Sequence, residues 1–161
     1  MDRYLEVDPH WVVPNHYFAP ACAECLELYR DAYFLSAVMV SQAVNEGIFK
    51  LVAERNEIRE KKEHHELMSI LYNKGAISRD CSDASTRIWR SFRNGVHHMN
   101  LKVAEIKLRD LAKRNLQDPV LIEREVFGAD VINGKLVPHH PEYWDIAVGK
   151  APNQRMKSDQ Q

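Results

Sequence analysis

The stretch Asp31-Ala32-Tyr33-Phe34-Leu35-Ser36-Ala37-Val38-Met39-Val40-Ser41-Gln42-Ala43-Val44-Asn45-Glu46-Gly47-Ile48-Phe49-Lys50-Leu51 decides the fold class. Ala37, Val40, Val44, Ile48 and Leu51 step by three or four residues, which draws one apolar stripe along a helix. Asp31 is a good N-cap, and the helix is expected to continue to about Arg55. Ser36, Ser41 and Gln42 interrupt the apolar run, so it reads as a buried or interface helix and not as a membrane span.

Working outward, an earlier helix is expected over about Pro20 to Tyr29, since proline suits a first helical turn. The charge run from Arg55 to Glu66 turns a solvated corner. A third helix follows from His64 to Asn73, with Gly75 as its C-cap. Ser82 or Asp83 caps a fourth helix that starts near Ala84 and runs to about Leu116. Trp89, Phe92, Val96 and Met99 form its early apolar stripe. Asp118-Pro119 reads as the cap and first residue of a short helix closed by Gly128. Asn133-Gly134, flanked by Val131-Ile132 and Leu136-Val137, predicts a hairpin with a type I′ turn, whose two central residues need positive φ. The expected fold is mainly α: an up-and-down bundle of four to five helices with a short C-terminal β-hairpin and irregular tail. Residues 1–149 form one domain, with 1–19 an arm across the body and 129–149 a hairpin and tail packed on the bundle. Tyr143, Trp144 and Ile146 fold back, and residues 150–161 form a disordered tail.

The chain has 161 residues, enough for one self-supporting core. Its formal net charge of -1 gives no overall field toward nucleic acid or membrane, so any such contact needs a local patch. One exists: from Arg79 to Arg114 there are nine Lys/Arg against four Asp/Glu. That suits phosphate binding, and it equally suits a salt-bridged surface. The three cysteines and a Met1 to Pro14 segment without secretory layout point to a reducing, cytoplasmic setting. Cys22 and Cys25 form a Cys-x-x-Cys, but a zinc site needs a second pair, so they read as core or surface thiols. The pairs His64–His65, His97–His98 and His139–His140 lack metal-ligand spacing, and His64–His65 reads as solvated. No metal and no cofactor are expected.

Chemistry concentrates in Arg90-Ser91-Phe92-Arg93-Asn94-Gly95-Val96-His97-His98. On a helical wheel at about 100° per residue, Asn94 and His98 share the side opposite Phe92 and Val96. Arg93 lies at the rim of the apolar stripe. An imidazole titrating near pH 6.5 can take or give a proton, and a guanidinium can clamp a phosphate. Together they suffice for metal-free RNA cleavage, in which the ribose 2′-hydroxyl attacks the neighbouring phosphorus. Arg93 and His98 stand about 140° apart on an ideal helix, so Gly95 adjusts the angle or two copies pool their residues.

Arg93-Asn94-x-x-x-His98 resembles the Arg-x4-6-His signature of HEPN domains, a family of helical bundles that includes metal-independent ribonucleases, toxins and antiviral effectors. Ala32 to Ala37 and Gln42 to Glu46 resemble that family's second helix, which often carries an acidic residue where Glu46 stands. The resemblance spans roughly residues 20–116. It implies a homodimer with a composite site, an RNA substrate, catalytic Arg93, Asn94 and His98, and supporting His97, Glu46 and Arg90. It also implies a toxin or phage-defence role under an antitoxin or inhibitor protein, with no membrane and no specific DNA binding. Asn100 stands where some family toxins carry a modified tyrosine. Spacing alone permits either His97 or His98 as the working ring. Glu46 is equally read as a structural partner for an arginine such as Arg93, and Arg90 as a phosphate-steering surface residue. The alternative function is a non-catalytic module of the same type, binding RNA, a nucleotide or a partner protein.

Overall fold

The computed structural model describes residues 6–7, 13–58, 62–91 and 107–145. These form a mainly helical bundle: α1 (Phe18–Arg30), α2 (Phe34–Arg55), α3 (His64–Asn73), α4 (Arg79–Arg90) and α5 (Leu108–Val126). A hairpin of β1 (Ala129–Ile132) and β2 (Lys135–Pro138) and a 3₁₀ turn (Pro141–Tyr143) complete them. α2 is the central element, packing on α1, α4 and α5. Its buried face is broader than the apolar stripe, because Ser41, Gln42 and Asn45 go inside with Ala37, Val44, Ile48 and Val52.

Three helices end in the same way. After α3, Gly75 at φ 71° lets its N–H reach Tyr72 O (2.9 Å) and the Ala76 N–H reach Leu71 O (3.0 Å). That is the Schellman pattern, which satisfies carbonyls the helix leaves open. α1 and α2 repeat it on non-glycine residues: Ala32 at φ 69° and Glu57 at φ 60°. Asp31, expected to cap α2, is instead the last residue before this reversal, and α2 starts without a side-chain cap at Tyr33.

α4 starts earlier than its sequence suggests. Ser78, not Ser82 or Asp83, is the cap, its hydroxyl accepting from the Cys81 N–H at 3.1 Å. The Ser78 N–H and hydroxyl both donate to the Glu125 carboxylate of α5, which also places negative charge at the helix N-terminus. The continuation of this helix toward Leu116 falls partly on residues 92–106, outside the described residues; Leu111 and Leu116 belong to α5.

Asp118-Pro119 opens no new helix. α5 runs through Pro119, burying Leu111, Ala112, Leu116, Ile122 and Val126 along one face. That burial, at about 1.5–3 kcal/mol per large apolar side chain, exceeds the roughly 3 kcal/mol cost of an interior proline. Asp118 is engaged elsewhere, as a bidentate partner of Arg87.

The hairpin has the expected two-residue turn, with Asn133 at φ 54° and Gly134 at φ 74° and Ile132 paired to Lys135. Tyr143 folds back, buried at 3% exposure, its hydroxyl accepting from Asn56 Nδ2 at 2.8 Å. Trp144 packs on the same core, while Ile146 and residues 150–161 lie outside the described residues. The arm is anchored at Val7 and Val13, both buried, and at Glu6, which accepts from Tyr29 Oη and Arg109 Nη2 at 2.5 Å each.

Left-handed backbone at an alanine carries a penalty of about 1–2 kcal/mol that glycine avoids, part of which the greater freedom of glycine in the unfolded chain offsets. Ala32→Gly is therefore expected to stabilise the protein by roughly 0.5–1 kcal/mol, read from the midpoint of urea unfolding. A midpoint unchanged or lowered would contradict the role assigned to this position.

Candidate functional site

Arg93, Asn94, His97 and His98 lie outside the described residues. The structure does describe how the chain arrives there. α4 ends at Arg90, and Ser91 follows it as a buried residue at 8% exposure. Gln42 Nε2 donates to the Ser91 carbonyl at 2.7 Å and to its hydroxyl at 3.0 Å. Asn115 Nδ2 donates to the same hydroxyl at 2.9 Å and to Ser41 Oγ at 3.1 Å. The Ser91 hydroxyl in turn donates to Ile88 O at 2.5 Å. It thus accepts two bonds and gives one, the full capacity of a hydroxyl. One atom joins α2, α4 and α5 two residues before Arg93.

A larger cleft, about 740 Å³, lies between α2, α3 and α4. Glu46, Lys50, Arg55, Lys62, His64 and Trp89 are among its walls. Glu46 pairs with Lys50 one turn on, at 2.8 Å. His64 and His65 are not both solvated as expected. His65 is exposed, but His64 is buried at 7%, its ring stacked on Trp89 (centroids 4.3 Å, planes 5° apart) and 3.3 Å from Ser85 Oγ. The two rings point about 100° apart around α3, and the Trp89 and Ser85 contacts hold only His64 against α4.

At the knot itself lies a cleft of about 330 Å³ between α4 and α5, lined by Arg87, Arg90, Ser91, Arg114, Asn115 and Asp118 among others. The structure therefore separates two of the supporting residues: Glu46 and Arg90 line different clefts.

A third cavity, about 360 Å³ and mostly apolar, lies between α1 and α5 beside Cys22, Cys25 and Glu123. Burial raises all three thiols, Cys25 to about 12, with nearby Glu123 adding to the effect at Cys22 and Cys25 and Glu125 at Cys81. They are protonated and poor nucleophiles, consistent with core packing. Glu123 is itself 7% exposed. Burial raises its pKa, and a hydrogen bond from Cys22 opposes that only in part.

No family model, curated protein or solved structure matches the chain. Sequence reasoning gave no role to Ser91 or Asn115, while Arg114 stood only within the basic excess between Arg79 and Arg114. The available signal was Gln42 and Asn45 on the buried side of an apolar helix, since inward carboxamides need polar partners from neighbouring elements.

Glu123 gives a test of this picture. Its folded pKa is raised, so the stability contributed by its protonated form is present below the unfolded pKa and lost as pH rises through the folded one. Relative to wild type, Glu123→Gln should gain stability with rising pH across that window, measured by urea unfolding between about pH 4 and about pH 8. A constant difference between the two proteins would show that the carboxyl titrates normally.

Proposed function

We propose that this protein is a metal-independent endoribonuclease of HEPN type that acts as a homodimer. His98 takes the proton of a ribose 2′-hydroxyl, the 2′-oxygen attacks the adjacent phosphorus, and the bond to the 5′-oxygen breaks. A protonated imidazole, from His97 or from the second copy's His98, returns a proton to the leaving 5′-oxygen. The products carry a 2′,3′-cyclic phosphate and a 5′-hydroxyl. Arg93 holds the phosphate and stabilises its added negative charge, and Asn94 orients the ring or the substrate. A toxin or phage-defence role in the cytoplasm, restrained by an inhibitor protein, fits such an activity. Among the described residues no helix is long and apolar enough to cross a membrane.

The observation that carries the reading is the knot at Ser91. A catalytic group works only when held close to productive geometry by a rigid support. Here Gln42 and Asn115 fix the backbone carbonyl and hydroxyl of the residue that leads into Arg93. A buried, fully bonded anchor at that position is an expensive way to build an ordinary helix end, and a natural one for the base of a site.

Cleavage of single-stranded RNA in EDTA is the test. Wild type should cut. His98→Ala should lose about 10²–10⁴-fold in rate, the usual worth of a positioned acid or base, and Arg93→Lys should lose a comparable factor, because lysine cannot make the fork. RNA binding without cutting, or His98→Ala cutting at the wild-type rate, would overturn the catalytic reading.

A further inference from the structure

We propose that the cleft between α4 and α5 is a phosphodiester-binding track for single-stranded RNA, with Ser91 in its wall. Thr86, Arg87, Arg90, Ser91, Arg114 and Asp118 line it. Three guanidiniums share the space with one carboxylate, and that carboxylate is already engaged. Asp118 accepts from Arg87 Nε at 3.1–3.2 Å and from its Nη2 at 2.7 Å. Among the described residues, no hydrogen bond or ion pair engages Arg90 or Arg114.

Two exposed arginines on facing helices, with no ion pair among the described residues, repel one another unless an anion lies between them. The fork of each matches two phosphate oxygens. Arg87, held by Asp118, is the fixed edge of the track, and Arg90 and Arg114 are the groups free to close on a ligand. At about 330 Å³ the cleft is too small for a duplex, which suits one strand followed by its backbone. The choice of RNA as the strand rests on the proposed function. The charge and geometry of the cleft do not.

The experiment measures binding of a short fluorescein-labelled single-stranded RNA by anisotropy, in EDTA, over a salt series. The His98→Ala background keeps the RNA intact. Replacing both arginines, Arg90→Ala with Arg114→Ala, should weaken binding about 100-fold, roughly tenfold per charge-assisted contact. It should also make the slope of log affinity against log salt shallower by about 1.4, at about 0.7 per phosphate lost. The pair Arg90→Lys with Arg114→Lys should keep most of the slope. An alanine pair that binds like its parent overturns the track. If wild type cuts RNA while the alanine pair changes neither binding nor slope, the track fails and the ribonuclease stands. If nothing cuts but the alanine pair loses affinity, the ribonuclease fails and the track stands. Absence of RNA binding at low salt overturns both.

Discussion

The hydroxyl of Ser91 is where the architecture of this protein is decided. It receives hydrogen bonds from Gln42 on α2 and Asn115 on α5 and gives one to the last turn of α4. Each such bond contributes only about 0.5–1.5 kcal/mol net, but a buried partner left unmatched costs about 1–3 kcal/mol. The low local dielectric sharpens both figures. Apolar packing alone would tolerate small rotations among the three helices. A shared hydroxyl does not, because each carboxamide must point at one atom. The network extends down α2, where Asn45 Nδ2 lies 3.4 Å from Ser85 O.

From that point the electrostatics sort themselves by helix face. α4 carries Arg87 and Arg90 in its last turn, where the partial negative charge of a helix C-terminus favours cations. Across from them α5 presents Arg114 and Asp118. The larger cleft mixes signs, with Glu46 tied to Lys50 beside the stacked His64 and Trp89. Among the described residues, the basic excess between Arg79 and Arg114 is thus part surface pairing, as with Arg87, and part charge without an ion pair, as with Arg90 and Arg114. Periodicity could not separate the two.

Much of the fold was legible in the sequence where local preference and burial agree. α2 and α3 follow their apolar spacing, and the Asn133-Gly134 turn follows from backbone sterics alone. The boundaries that failed share a cause in tertiary contacts. The start of α4 depends on Glu125, distant in sequence, and Pro119 is carried inside α5 because the face it shares is buried on both sides of it. Asp118, a reasonable cap in isolation, is held by an arginine from another helix. For the site, residue types announced Arg93, Asn94 and His98 as a pattern, with residues 92–106 outside the described part of the chain. What a linear reading could not supply was Ser91 and Asn115, ordinary polar residues whose importance lies in which helices meet at them.

The most direct measurement uses two RNA oligonucleotides that differ at one position, the ribose on the 5′ side of the mapped cut and its 2′-deoxy equivalent, incubated with the protein in EDTA. The account predicts cleavage of the all-ribose strand to a 2′,3′-cyclic phosphate and no cleavage at the deoxy linkage. Cutting through the deoxy linkage, or intact RNA in both reactions, would contradict it.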